Sequence, residues 1–143
     1  MGPVGSASLI KVITKMLALV HLQVCGEALM LASRDGLDLA TSWRAIAASS
    51  GHSFVHETEG QLILNGSYDI GFTIDLALKD LGFAKQFAEE LGVPLELAAA
   101  TFARFQEARD AYGGESQSPK IVKLLEDALD KPLPALGFPA ALS

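Results

Sequence analysis

At 143 residues, half of them hydrophobic and a fifth charged, the chain is long enough for one domain with its own core and too apolar to be disordered. A formal net charge of −6 denies nucleic acid an attractive field, which excludes non-specific binding to it but leaves room for a local basic pocket. The single cysteine, Cys25, excludes an intrachain disulfide; set among Leu22, Val24 and Leu29, it reads as a buried thiol in a cytoplasmic protein.

Taken in chain order, the pattern is helical. Over Ser8–Arg34 the apolar residues include Leu9, Val12, Ile13, Met16, Leu17, Val20 and Val24, many at steps of three and four, and no proline intervenes. Such a helix is roughly 40 Å long at 1.5 Å per residue, longer than a small domain's core, so part of it should pack against something else. Gly36 suits its C-cap. Residues 16–32 are apolar enough to suggest a membrane segment. His21, Gln23 and Glu27 interrupt them, so no uninterrupted span is present and no membrane partner is expected. The opening Met1-Gly2-Pro3 is a poor match to a myristoylation signal, because proline follows the glycine.

A second helix is expected over 39–48, with Asp38 as N-cap, then a polar break at 49–53. Residues 54–64 read as short helical or irregular chain, and 61–64 is the one weak strand candidate. Helices follow over Ile74–Leu91, ended by Gly92 and Pro94, and over 95–112, ended by Gly113-Gly114. A last helix is expected over 120–129, with Pro119 in its first turn. The whole reads as an all-α domain of five to seven helices over 1–130, with an irregular proline-containing tail over 131–143.

No metal-ligand cluster is visible; His21, His52 and His56 offer at most one close pair and read as solvated histidines. No glycine-flanked serine or cysteine nucleophile occurs. Lys11 stands out, one helical turn after the glycine-rich Gly2-Pro3-Val4-Gly5 and between Ile10 and Val12. A lysine on an apolar face can donate a proton to a carbonyl oxygen or anchor an anion; the plainer alternative is a surface lysine snorkelling along its helix. Lys79-Asp80, inside an apolar helix, poses the same choice, and Asp75 stands four residues from Lys79, placed for an ordinary exposed bridge.

The segment from Gly2 to Lys11 resembles the opening of the C-terminal domain of 3-hydroxyisobutyrate dehydrogenases and their β-hydroxyacid dehydrogenase relatives, whose pattern is G-x-x-G-x-G-x-x-x-K-x-x-x-N. Glu27-Ala28-Leu29-Met30 with Gly36-Leu37-Asp38 resembles the family's long helix and its turn, and Ser50-Gly51-His52-Ser53-Phe54 its S-G-x-S-W/F turn. Tyr68 to Phe72 followed by Leu76-Ala77-Leu78-Lys79-Asp80-Leu81 resembles its F-x-x-x-L-x-x-K-D-L block, and Gly92-Val93-Pro94 a common turn after it.

The resemblance covers roughly residues 2–129. It implies the all-α C-terminal fold of 6-phosphogluconate dehydrogenase-like enzymes and an NAD or NADP cofactor. It also implies a small hydroxyacid substrate and a homo-oligomer built through the long first helix. Lys11 matches the catalytic lysine, which exchanges a proton with the substrate oxygen. Lys79 matches a lysine reaching the nicotinamide cofactor, and Phe72 and Asp80 match residues lining the cleft. Lys15 stands where the family has an asparagine that holds the substrate carboxylate, Thr14 where a second asparagine is common, and Ala7 at the third motif glycine. The family's N-terminal Rossmann half, with its G-x-G-x-x-G loop, is absent from these residues. The expectation is therefore a fragment or truncated product that is inactive alone. The competing expectation is a non-catalytic helical dimerisation module, which Lys15 favours; retained Lys11, Lys79 and Asp80 favour the enzyme, and the retained Lys11 disfavours an imine-reducing relative.

Overall fold

The structure, a computed structural model, describes residues 4–143, with side chains from residue 8 onward. The myristoylation reading at Gly2 lies outside the described residues. Seven α-helices are present among the described residues: α1 (Val4–Arg34), α2 (Leu39–Ala47), α3 (Phe54–Glu57), α4 (Glu59–Asn65), α5 (Ile74–Leu91), α6 (Glu96–Tyr112) and α7 (Lys123–Ala128), with a 3₁₀ turn at Ser118–Ile121 before the last. No strand occurs among them, only one isolated bridge between Thr73 and Gln117. The all-α class and the long first helix thus stand. Residues 61–64, the weak strand candidate, lie inside α4, where Leu62, Ile63 and Leu64 are all buried. The expected last helix is divided: its first turn is 3₁₀ and α7 starts only at Lys123.

Caps set the boundaries. At the end of α1 the chain turns through Gly36 at φ 84°, with Leu37 N–H bonded to the Ala32 carbonyl (3.0 Å) and Gly36 N–H to that of Ser33 (3.0 Å). That left-handed conformation is open to glycine at no steric cost. Asp38, Ser53 and Thr73 each accept a backbone N–H at the start of α2, α3 and α5. Asp38, bonded by the Thr41 hydroxyl and N–H, is held below the usual carboxylate range.

α1, about 46 Å long at 1.5 Å per residue, is the spine on which the other helices pack. Only its second half enters the core, through Leu19, Leu22, Cys25, Leu29 and Met30, which meet Ile74, Ala77, Leu81, Phe105, Ile121 and Val122. By length and composition Ser8–Arg34 is long and apolar enough to cross a membrane, yet a third of its most apolar window is buried inside this bundle. The first half keeps Ile10, Ile13 and Leu17 exposed, continuing to Val24 and Leu31.

The tail from Lys131 has no helix but is tied down. Leu133 is fully buried, and its N–H bonds the buried Glu126 carboxylate (2.8 Å). Ala135 N–H reaches the Leu64 carbonyl (2.9 Å), and Phe138 meets Trp43 edge-on. The other Glu126 oxygen takes the Tyr68 hydroxyl, whose proton is held far more tightly than usual by burial and by that carboxylate.

Candidate functional site

Between the first half of α1 and α5 runs a cleft of about 710 Å³. Its α1 wall carries Ser8, Lys11, Val12 and Lys15; a helix puts residues four apart on one face, so Lys11 and Lys15 point the same way. Its other wall carries Leu76, Lys79, Asp80, Phe83, Gln86, Phe87 and Glu90 from α5, with Phe72 just before that helix. All five residues singled out from the sequence (Lys11, Lys15, Phe72, Lys79 and Asp80) therefore line one cavity, although about 60 residues of chain separate the two groups.

Phe72 is held by the loop after α6. The Gln117 side-chain oxygen accepts the N–H groups of Gly71 (2.6 Å) and Phe72 (3.1 Å), while Ser118 N–H donates to the Phe72 carbonyl (2.7 Å). Ile74 and Asp75 N–H groups bond the Ser116 and Gly114 carbonyls, so the start of α5 is fixed from outside the helix. With its backbone pinned, the half-buried Phe72 ring offers a face to Lys15, whose Nζ lies 5.2 Å from the ring centre, a cation–π distance.

Three lysines and two carboxylates line the cleft, Lys11, Lys15 and Lys79 against Asp80 and Glu90. On a chain of net charge −6 this is a locally positive, apolar-walled opening, suited to a small organic anion. Lys11 and Lys79 are exposed, Lys15 and Asp80 half-buried. Lys79 does not pair with Asp75, as the four-residue spacing suggested. Arg109 on α6 takes that carboxylate instead (Nε to Oδ1, 2.9 Å), which leaves Lys79 to the cleft.

Other polar groups gather elsewhere. His56 is not a solvated loop residue: it is buried in α3, with Nε2 2.9 Å from the Trp43 carbonyl and Nδ1 3.6 Å from Cys25 Sγ. Nε2 therefore carries the proton, and Nδ1 accepts from the thiol. Burial, with Glu59 nearby, pushes the Cys25 thiol up to about 12, so it is protonated and unreactive. Among the described residues no three His, Cys, Asp or Glu side chains come together in a way that holds a metal.

Sequence reasoning missed Gln117, which looks like an ordinary loop amide until the fold brings it to residue 72. It also missed the far end of the cleft (Phe83, Gln86, Phe87 and Glu90), which continues the α5 face of Lys79 at helical spacing. Finally it missed Glu59, at the start of α4, whose carboxyl is raised to about 7 by burial even though Lys15 pulls it down.

Compared with known proteins, residues 5–125 match a family model described as the NAD-binding domain of NADP-dependent 3-hydroxyisobutyrate dehydrogenase. An L-threonate dehydrogenase of Cupriavidus necator is 36% identical over 118 residues, 82% of this chain and 40% of that protein. A 2-(hydroxymethyl)glutarate dehydrogenase of Eubacterium barkeri is 30% identical over 126 residues, 87% of this chain and 42% of its own length. The crystal structure of a 3-hydroxyisobutyrate dehydrogenase from Salmonella typhimurium superposes with a TM-score of 0.77 at 31% identity, covering 82% of this chain and 41% of that one. The chain thus spans about two fifths of the length of the relatives it matches.

Proposed function

The chain belongs to the 3-hydroxyisobutyrate dehydrogenase family, and from that premise we propose that it forms the substrate-side half of an NAD- or NADP-dependent dehydrogenase acting on a small hydroxyacid. The observation that carries the reading is the single cleft lined by Lys11, Lys15, Phe72, Lys79 and Asp80. The donor set suits both ligands: ammonium groups for a substrate carboxylate and for the anionic part of a nucleotide, and the aromatic and aliphatic walls Phe72, Leu76, Phe83 and Phe87 for flat or apolar parts. When bound, a nicotinamide supplies the hydride acceptor or donor.

The residues of this chain do the rest. Lys11 exchanges the proton at the substrate oxygen, giving it to the carbonyl in one direction and taking it from the alcohol in the other. Lys15 holds the carboxylate as a point charge where a planar amide would hold it by directed hydrogen bonds. Phe72 closes one side and keeps Lys15 over its ring, and Lys79, on the same cleft, would hold the anionic part of a bound nucleotide. Asp80, beside Lys79 on α5, offsets part of the positive charge. The nucleotide-binding half of such an enzyme lies outside residues 1–143, which themselves form the helical domain and its tail, and the compartment is cytoplasmic.

The test is an absorbance assay of NADH and NADPH formation with this chain joined to a nucleotide-binding half of the family. L-threonate, 2-(hydroxymethyl)glutarate and 3-hydroxyisobutyrate form the first panel. Turnover with at least one acid is expected, and Lys11→Ala should reduce kcat about 10²- to 10⁴-fold, the usual worth of a positioned acid–base group. Turnover unchanged in Lys11→Ala sinks the assignment.

A second reading is favoured by the stripe Ile10, Ile13, Leu17, Val24 and Leu31, exposed along α1. Four of these, at 10, 17, 24 and 31, repeat every seven residues, the spacing of a helix-pairing seam. A patch of that kind is seldom left bare, so the chain self-associates through α1 whether or not it is catalytic. Without activity in any joined form, a dimerisation module would be the reading that remains.

A further inference from the structure

Phe72 owes its place on the cleft wall to a residue that does not line the cleft. Gly71, at φ 76°, turns the chain into Phe72. The Gln117 side-chain oxygen accepts the N–H groups of both Gly71 (2.6 Å) and Phe72 (3.1 Å). The Gln117 backbone bridges to Thr73, and Ser118 N–H donates to the Phe72 carbonyl (2.7 Å). Both backbone polar groups of Phe72 are therefore committed to residues 117 and 118.

The loop that carries Gln117 is itself anchored. Ile74 and Asp75 N–H groups bond the Ser116 and Gly114 carbonyls (2.8 and 2.9 Å), and the Ser116 hydroxyl donates to the Tyr112 carbonyl at the end of α6 (2.6 Å). Arg109 on α6 holds the Asp75 carboxylate (2.9 Å). That carboxylate fills the space beside Gly114, where an added Cβ would come within 2.2 Å of it. Residues 113–118 and the start of α5 are thus keyed to each other, and the Gln117 amide is the side chain that carries this order back to residue 72.

We propose that Gln117 is a positioning residue for the substrate carboxylate: by fixing Phe72 it fixes the ring face that holds Lys15, and so presents the Lys15 ammonium to the anion already in place. The proposal rests on the cleft taking a carboxylate at Lys15, as argued above. What carries it is an unbroken run of contacts, from Gln117 Oε1 to the Phe72 N–H and from the Phe72 ring to Lys15 Nζ, 5.2 Å from the ring centre, with Phe72 and Lys15 on one cleft. A free lysine must order its whole stem when an anion binds, whereas a stem already laid over a ring has less freedom to lose. The ring attracts the ammonium through its face and leaves N–H donors for a carboxylate. A cation–π contact of this kind changes an equilibrium by about 2- to 5-fold, which sets the size of the expected effect.

The experiment uses the chain as it stands, with propionate as a bare carboxylate probe titrated by NMR. Gln117→Met keeps the length of the side chain and offers no oxygen to the two N–H groups; Gln117→Glu keeps an oxygen for both. Propionate should bind Gln117→Met about 2- to 5-fold more weakly than the parent, and Gln117→Glu as tightly as the parent. The Lys15 Cε protons, shifted upfield by the Phe72 ring in the parent, should lose that shift in Gln117→Met and keep it in Gln117→Glu. In a Lys15→Asn background Gln117→Met should have no further effect on propionate. Phe72→Leu, which leaves the bonds to residues 117 and 118 in place, should weaken propionate by the same factor. In the joined enzyme Gln117→Met should raise KM by that factor and leave kcat unchanged, because proton transfer is left to Lys11. A purely structural role would lower stability and act equally with and without Lys15.

Equal propionate affinity in the parent and Gln117→Met, or an equal loss with and without Lys15, overturns the proposal and leaves the dehydrogenase reading intact. Should Gln117→Met not fold, Phe72→Leu decides, and full affinity there overturns the proposal too. Failure of the parent to bind propionate overturns it as well, since the carboxylate site at Lys15 would not exist. The converse result, propionate following the predicted pattern while no hydroxyacid is turned over in the joined enzyme, supports the Gln117 role and removes the dehydrogenase reading.

Discussion

Gly26→Ala should destabilise the chain although it replaces a glycine in the middle of a helix with the best helix former. At a solvent-facing site that exchange gains about 1 kcal/mol. Gly26, however, is buried on α1 against Val122, at the junction of the 3₁₀ turn and α7. A Cβ there would sit 2.5 Å from Val122 Cγ2, 2.9 Å from Cγ1 and 3.1 Å from Cβ. Both methyls and the branching carbon are in the way, and a β-branched side chain has little χ1 freedom with which to yield. Overpacking costs reach about 3 kcal/mol, so the net loss should be about 2 kcal/mol. Urea unfolding, followed through the fluorescence of Trp43, the chain's one tryptophan, should show the midpoint falling by about 1 M. In a Val122→Ala background both methyls are gone and only the Cβ at 3.1 Å remains, so Gly26→Ala should become near neutral, a coupling of about 2 kcal/mol. A rise in midpoint for Gly26→Ala in the parent would refute the packing argument, because it would mean that α1 and α7 are not in contact at this point.

Leu133→Ala should cost about 3 kcal/mol in the same assay, since the side chain is fully buried and its removal leaves a cavity; an unchanged midpoint would mean the tail is not docked. Cys25 should react with a thiol reagent at pH 8 far more slowly in the folded chain than in urea, because burial keeps its proton on to about pH 12; equal rates would place the thiol at the surface. Folding raises the Glu59 carboxyl from an ordinary 4.5 to about 7, so its contribution to stability is full below about pH 4.5 and is lost as the pH rises through 7. Glu59→Gln should therefore be more stable than the parent at pH 8, by on the order of 1–2 kcal/mol for a half-buried group, and no more stable near pH 4; a pH-independent difference would refute the assignment.

What was readable in the sequence was local. Asp38, Gly36 and Gly92 mark helix ends through bonds made within a few residues, and the structure uses each of them at or next to the expected position. What escaped was decided across the fold. His56 follows the polar break at 49–53 and reads as solvated, yet it is buried, held by the Trp43 carbonyl and the Cys25 thiol. Asp75 has a lysine one turn away and pairs with Arg109 on another helix, because α6 packs along α5 and brings the guanidinium to it. The apolar run at 61–64 has no period of its own, and only its closure against α1 and the tail makes it a helix buried on several sides.

The candidate site divides in the same way. Helical spacing alone puts Lys11 and Lys15 on one face of α1, and Lys79, Phe83 and Phe87 on one face of α5. Periodicity has no means of saying that those faces meet; the family resemblance supplied that, and the α1–α5 packing makes it concrete. Resemblance in turn was silent on Glu59, because a glutamate in the first turn of a helix is common enough to need no explanation. Its meaning depends on Lys15 standing where the family carries a neutral amide. An amide carries no charge, whereas the Lys15 ammonium partly offsets the rise that burial imposes on the Glu59 carboxyl. The departure at position 15 and the half-buried carboxylate at position 59 thus act on each other through charge alone. A swap that restores the family's asparagine at 15 should leave Glu59 a liability, so that Lys15→Asn alone destabilises the chain at pH 8 and adding Glu59→Gln recovers the loss.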